Sequence, residues 1–246
     1  MNARREFARH YRVYRSCPSG SSKMARRSSS IISEVIDNLA RVLFEKGFLM
    51  STPSEYIQEL HAVIDALAVA EIEKLIDVLH EARMKGKTIF VMGNGGSAST
   101  STHLACDLGK NTRSDGYPNF KVMGLSDNMA IFSALANDEG YENVFVQQLA
   151  SFVQPEDIVI GISASGKSPN VLKAIEYANQ AGAITVGFTG FDGGKLAKMV
   201  KINLHVPSDC IEQVEDVHLM LEHMIATALR ERVRNQNAVG AMRLDC

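Results

Sequence analysis

The chain has 246 residues, 46% hydrophobic and 22% charged, with 26 Lys/Arg against 28 Asp/Glu for a net charge of −2. This composition excludes a disordered or collagen-like chain, and no apolar run nears the roughly 18 residues of a membrane-spanning helix. The charge is uneven. Residues 1–30 carry eight bases and one acid (Glu6), and the remainder is −9, too acidic for non-specific nucleic-acid binding, which runs on phosphate neutralisation.

Residues 1–30, Arg-rich and then Ser-rich, read as a disordered basic extension; a transit peptide has a similar composition. Residues 31–49 read as an amphipathic helix with Ile31, Ile32, Val35, Ile36, Leu39, Val42 and Leu43 on one stripe, stopped at Gly47. Thr52-Pro53-Ser54-Glu55 starts the next helix: Thr52 caps, Pro53 suits the first helical position, and Glu55 completes a capping box. That pattern runs to Gly86 with a break near Ala68.

Strands then alternate with helices. Thr88–Met92 is a strand, followed by a glycine-rich turn and a helix through Lys110. Phe120–Leu125 is the second strand, with helical patterns at Asn128–Ala136 and Glu142–Val153. Asp157–Ile162 is the third strand, with a serine-rich turn and a helix over Pro169–Ala181. Ile184–Phe188 and Ile202–Val206 are two more strands around a short helical stretch. A last helix runs from Glu212 to Arg234, and residues 235–246 read as a flexible tail. The alternation predicts an α/β fold, a doubly wound parallel sheet between two helical layers, over residues 50–234. Cys17, Cys106, Cys210 and Cys246 form no C-x-x-C pair. That argues against a disulfide framework and for a reducing, cytoplasmic location.

Two loops each leave a strand and open a helix, the edge where parallel sheets bind ligands. In Gly93-Asn94-Gly95-Gly96-Ser97, glycines allow close backbone approach, and the helix start favours an anion. Packing alone also accounts for glycines there. In Ser163-Ala164-Ser165-Gly166-Lys167-Ser168-Pro169-Asn170, three hydroxyls before a proline-started helix exceed what capping needs and read as a phosphate cradle. Residues Gly161–Ser168 also satisfy the nucleotide-binding G-x-x-x-x-G-K-[ST] pattern. Against that reading, Pro169 biases Ser168 away from helical geometry, and Gly161 falls inside the strand. His103 and Asp107, four apart, share one helical face and have a zinc-type donor chemistry. On the last helix Glu215, His218, Glu222 and His223 compete as further ligands. Glu215 and His223 are about 12 Å apart along a regular helix, and Glu215–His218 is the simpler local pair.

Residues 50–234 resemble the sugar isomerase (SIS) family, most closely its phosphoheptose isomerase branch. The resemblance rests on Gly93–Ser97, His103 with Asp107, Ala136-Asn137-Asp138, Ser163–Ser168, Thr189–Gly194 and Glu215-Asp216-Val217-His218 with His223. It implies a homotetramer that uses Zn²⁺ to interconvert sedoheptulose 7-phosphate and D-glycero-D-manno-heptose 7-phosphate, with the active site shared between subunits. It assigns the metal to His103, Asp107, Glu215 and His223, the carbon base to Asp107 and the partner acid/base to His223. Substrate contacts fall on Asn94, Gly95, Gly96, Ser97, Asn137, Asp138, Ser163, Ala164, Ser165, Ser168 and Glu215. No nucleic-acid or membrane partner is implied. The chain departs from the branch in three places: Asp107 stands for a Glu, Glu215 for a Gln, and Lys167 for an Asn, where it would add charge near the phosphate. The rival within the family is a non-catalytic adaptor of the replication-initiation-regulator type. Those proteins do not keep the metal histidines, and this chain has both His103 and His223.

Overall fold

In the computed structural model the described residues are 52–244, with side chains to Arg234. The predicted extension (1–30) and helix (31–49) lie outside them. The chain divides into two compact units, Met1–Ile57 and Gln58–Cys246.

The first described helix, α1 (Pro53–Asp65), begins as its capping box requires. The Glu55 amide donates to Thr52 Oγ1 at 3.2 Å, and the Thr52 amide to Glu55 Oε2 at 2.7 Å, so two orphan donors are satisfied reciprocally. After a break at Ala66–Ala68 come α2 (Val69–Met84), β1 (Thr88–Gly93), α3 (Gly96–Cys106), β2 (Lys121–Gly124), α4 (Met129–Asp138), α5 (Val146–Phe152), β3 (Ile158–Ile162), α6 (Pro169–Gln180), β4 (Ile184–Thr189), α7 (Leu196–Met199), β5 (Ile202–His205) and α8 (Ile211–Leu244). Strand β3 starts one residue later than predicted because Asp157 is buried and bonds backbone instead. Its carboxylate accepts from the Thr88 and Gln154 amides, both at 2.8 Å. Helix α8 runs past Arg234 to Leu244, where the sequence pattern places a flexible tail. No helix among the described residues is long and apolar enough to cross a membrane.

All five strands are parallel, in the order β2-β1-β3-β4-β5. The side-chain period of two divides the apolar residues between the two faces. Ile89, Val91, Ile158, Ile160, Val186 and Leu204 meet α2, α3 and α8 through Leu75, Leu79, Leu104, Val217 and Leu221. Phe90, Met92 and Val159 face the other way, onto Phe145, Leu149, Val171 and Ile175 of the α5–α6 layer. This is the doubly wound three-layer sandwich. The chain moves outward from β1 to β2 and then returns to place β3 on the other side of β1. The topological switch point therefore lies between the C-terminal ends of β1 and β3, where the glycine loop and the serine loop leave the sheet.

Candidate functional site

The two loops are tied to each other across the switch point. Asn94 of the glycine loop and Asn170 in the first turn of α6 form a reciprocal amide pair, at 3.0 and 2.9 Å. Tyr141 Oη donates to Asn94 Oδ1 at 2.9 Å and holds the glycine loop from a third side. Asn137 and Asp138, at the end of α4 just before that tyrosine, are exposed and bonded to each other at 2.7 Å. Gly96 opens α3 with the Glu215 carboxylate packed where a Cβ would stand, so a side chain there would displace that carboxylate. Ser97, the next residue, is buried.

In the serine loop, Ser163 is buried at the base, Ser168 is half-buried, and Ser165 is exposed at the rim. The Ser163 and Ser168 hydroxyls converge to 3.1 Å, and Ser165 Oγ accepts from the Lys167 amide at 3.3 Å. The loop is propped from behind by residues 190–196. The Gly190 amide donates to the Ala164 carbonyl at 2.8 Å, and the Lys195 and Leu196 amides both reach the Gly166 carbonyl. Lys167 is directed sideways, its Nζ 3.0 Å from Asp192 Oδ2. The lysine and the Gly194 amide hold the Asp192 carboxyl below the usual carboxylate range. So Lys167 joins the serine loop to the 190–196 loop, rather than standing as an unpaired positive charge. The nucleotide-loop pattern fails on geometry. Gly161 is in strand β3, and Ser168 is an extended N-cap outside the helix, with ψ 116°.

Two turns beyond the glycine loop, α3 carries His103 and passes directly into a π-helical turn, Asp107–Asn111. Such turns re-aim side chains and are frequent at functional sites. Here Asn111 Nδ2 donates to Asp107 Oδ1 at 2.6 Å and orients the carboxylate. Helix α8 packs alongside and completes a cluster. Ligating atoms of His103, Asp107, Glu222 and His223 all lie within 4.8 Å of one another. His103 Nε2 is 3.8 Å from Asp107 Oδ1, and His223 Nε2 is 3.4 Å from Glu222 Oε2. The imidazoles meet edge to face with centroids 4.9 Å apart. The carboxyls form a buried floor and the histidines an exposed rim. The fit to a divalent metal is good: two nitrogens and two oxygens suit zinc, whose four-coordinate sites have ligand–ligand edges of about 3.4 Å at ordinary bond lengths. Glu222 makes the same point from the other side. It is fully buried, with the Asp107 carboxyl and the His223 imidazole as its polar neighbours. Burial first, and the facing Asp107 carboxylate second, push its pKa up to about 7.

Of the four expected metal residues, His103, Asp107 and His223 come together and Glu215 does not. The physical reason is the helix rise weighed above: eight residues separate Glu215 from His223, and Glu215 ends at the glycine loop instead. The local rival, His218, is not in the cluster either. It is buried against Phe188, with Nε2 3.3 Å from the Thr189 carbonyl and Nδ1 unpartnered. Burial lowers its pKa to about 4. A histidine whose folded pKa is depressed resists protonation that the unfolded chain accepts at about 6.5, so stability is lost as pH falls from about 6.5 to 4. At 1.36 kcal/mol per unit this amounts to about 3 kcal/mol. Urea unfolding at pH 7 and at pH 4.5 should show a smaller loss for His218→Met than for the wild type, with metal binding unchanged; equal losses would exclude this titration.

Sequence reasoning missed Asn111 and Tyr141, and gave Asn170, the last residue of the serine-loop motif, no role of its own. Asn170 follows the serine-loop proline and Tyr141 follows a loop glycine, so only their chain positions near the two loops hinted at a role. A cleft of about 580 Å³ opens elsewhere, at the β2 edge among Thr102, Cys106, Met123, Asp127, Ile131 and Phe152, and none of the residues described above lines it.

Residues 55–190 match the SIS domain family. The phosphoheptose isomerase of Geotalea daltonii is 36% identical over 165 residues, covering 66% of this chain and 84% of that protein. That of Helicobacter pylori is 33% identical over 195 residues, covering 79% and 98%. Among solved structures, a phosphoheptose isomerase from Francisella tularensis superposes with a TM-score of 0.66 at 26% identity, covering 72% of this chain and 94% of that one. The parallel sheet, the two loops at its switch point and these relatives together make the chain a member of the SIS domain family, on its phosphoheptose isomerase branch.

Proposed function

We propose that the chain is a phosphosugar aldose–ketose isomerase acting on sedoheptulose 7-phosphate, with D-glycero-D-manno-heptose 7-phosphate as product. The observation that carries this reading is helix α3 with the π-helical turn that continues it, which opens at the glycine loop beside the serine loop and presents His103 and Asp107 two to three turns later. Seven residues of rise, about 10 Å, separate an anion-binding end from an acid–base end, a span suited to an open-chain sugar phosphate.

The serine hydroxyls of Ser163, Ser165 and Ser168, with Ala164 backbone and Ser97, hold the phosphate. Asn94, Gly95, Gly96, Asn137, Asp138 and Glu215 surround the sugar hydroxyls. Asp107 removes the proton from C1 of the ketose and returns it to C2, and His223 carries the proton from O1 to O2, so that one enediol connects the two sugars. A bound Zn²⁺ would polarise the sugar oxygens and stabilise the negative charge that develops on them. His103 and His223 are its nitrogen donors. In this reading the molecule assembles as a homotetramer; exposed Met123, Met129, Ile131 and Phe152 around the β2 edge support a contact there.

Purified protein given ketose phosphates of five to seven carbons, with and without zinc, tests the reading. The seven-carbon substrate should be turned over best, and chelation should abolish turnover. Binding without turnover of any of them would favour the adaptor reading. Replacing Ser165 and Ser168 together by alanine removes two charge-assisted hydrogen bonds of about 1.5–3 kcal/mol each. Calorimetry should then show phosphosugar affinity reduced well over tenfold at unchanged stability, and tight Mg-ATP binding by the wild type would contradict the phosphosugar assignment.

A further inference from the structure

We infer that Glu222, rather than Glu215, completes the metal site, so that this chain binds its ion with His103, Asp107, Glu222 and His223. The inference rests on the metal-assisted reading above and deepens it. Three observations carry it. Glu222 belongs to the cluster whose ligating atoms lie within 4.8 Å of one another, and Glu215 does not. The Glu222 side chain is fully buried, and its carboxyl meets the Asp107 carboxyl and the His223 imidazole, so two acids face each other in a low-dielectric site where a cation between them would be favoured. Its Oε2 is already 3.4 Å from His223 Nε2, close to an edge of a four-coordinate zinc site.

Glu215, seven residues earlier on α8 and about 10 Å along its axis, packs its carboxylate onto Gly96 at the mouth of the glycine loop. The two glutamates therefore divide the work. Glu222 supplies the charge that, with Asp107, neutralises a divalent ion at the floor of the cluster. Glu215 is left at the glycine loop to meet sugar hydroxyls, and belongs to substrate binding rather than to the metal.

The test is an equilibrium zinc titration of the metal-free full-length protein against a chromophoric chelator, which needs no turnover. The wild type should bind one equivalent. Glu222→Leu should weaken zinc by more than the roughly 10–100-fold that losing an outer-shell partner costs. Glu222→Gln, which loses the charge, should weaken it at least about tenfold, and Glu215→Leu, which removes every ligating atom, should leave it within about threefold. The metal-free Glu222→Leu protein should also melt at a higher temperature than the metal-free wild type, because a buried acid facing the Asp107 carboxyl has been replaced by an apolar group. If Glu215→Leu loses zinc while Glu222→Leu or Glu222→Gln keeps it, the assignment is overturned in favour of Glu215. If the wild type binds no zinc, the metal site itself is overturned, and the isomerase reading then stands or falls on its own turnover assay. Should Glu222→Leu fail to fold, the nearly isosteric Glu222→Gln still decides between the two glutamates.

Discussion

Asp107→Asn should lower the isomerisation rate about a thousandfold, within the range that a positioned acid–base group contributes, while zinc remains bound. The substitution keeps the size of the side chain and an oxygen that can ligate, but the amide cannot accept a proton from carbon. It also keeps the partner at Asn111, whose amide now meets a neutral oxygen instead of a carboxylate 2.6 Å away. The loss should therefore fall on kcat, with KM changed little, since an interaction made mainly in the transition state is what has gone. Metal analysis beside steady-state kinetics checks it. A variant that loses zinc and activity in parallel would make Asp107 a ligand only and would transfer the carbon base to another group. His103→Ala provides the contrast, because it should lose both together.

Gly166→Ala should destabilise the protein by about 2–5 kcal/mol, combining the cost of a left-handed conformation with overpacking. Gly166 has φ +61°, and a Cβ there would collide with the Gly193 carbonyl, which is backbone and cannot turn aside. Gly166 cannot swing away, because its own carbonyl is held by the Lys195 and Leu196 amides. The serine loop would have to lift off the 190–196 loop, so phosphosugar affinity should fall along with stability. Urea unfolding and ligand titration of the same preparation measure both. Ser165→Ala, one residue away at the exposed rim, should lose affinity with stability intact. Equal stability of Gly166→Ala and the wild type would mean that the loops are not docked as described.

The order of elements was legible because each apolar strand is bounded by turn chemistry that a reader can name. Ile158–Ile162 is followed by a serine turn and a proline-started helix, and β1 by glycines. The two loops were legible for the same reason, and strand alternation alone puts them on one edge of the sheet. What could not be read was convergence between distant segments. Glu222 and Glu215 are both acids on one helix, and only the packing of α8 on α3 decides which of them meets His103. The π-helical turn at Asp107 leaves no signature in an Asp-Leu-Gly-Lys-Asn stretch, since it depends on how α3 ends against its neighbours. The tie of Lys167 to Asp192 was not legible, because its partner lies twenty-five residues away. The Asn94–Asn170 pair, seventy-six residues apart, was invisible on the same grounds.

Proton NMR of sedoheptulose 7-phosphate incubated with the zinc-loaded protein in D₂O tests the central claim most directly. Transfer through an enediol by Asp107 predicts signals of the aldose phosphate, with deuterium from solvent entering at the carbons that exchange protons. Both changes should be absent with the Asp107→Asn protein. A spectrum that stays unchanged while the sugar phosphate binds to the wild type would contradict the account and leave a phosphosugar-binding protein that performs no isomerisation.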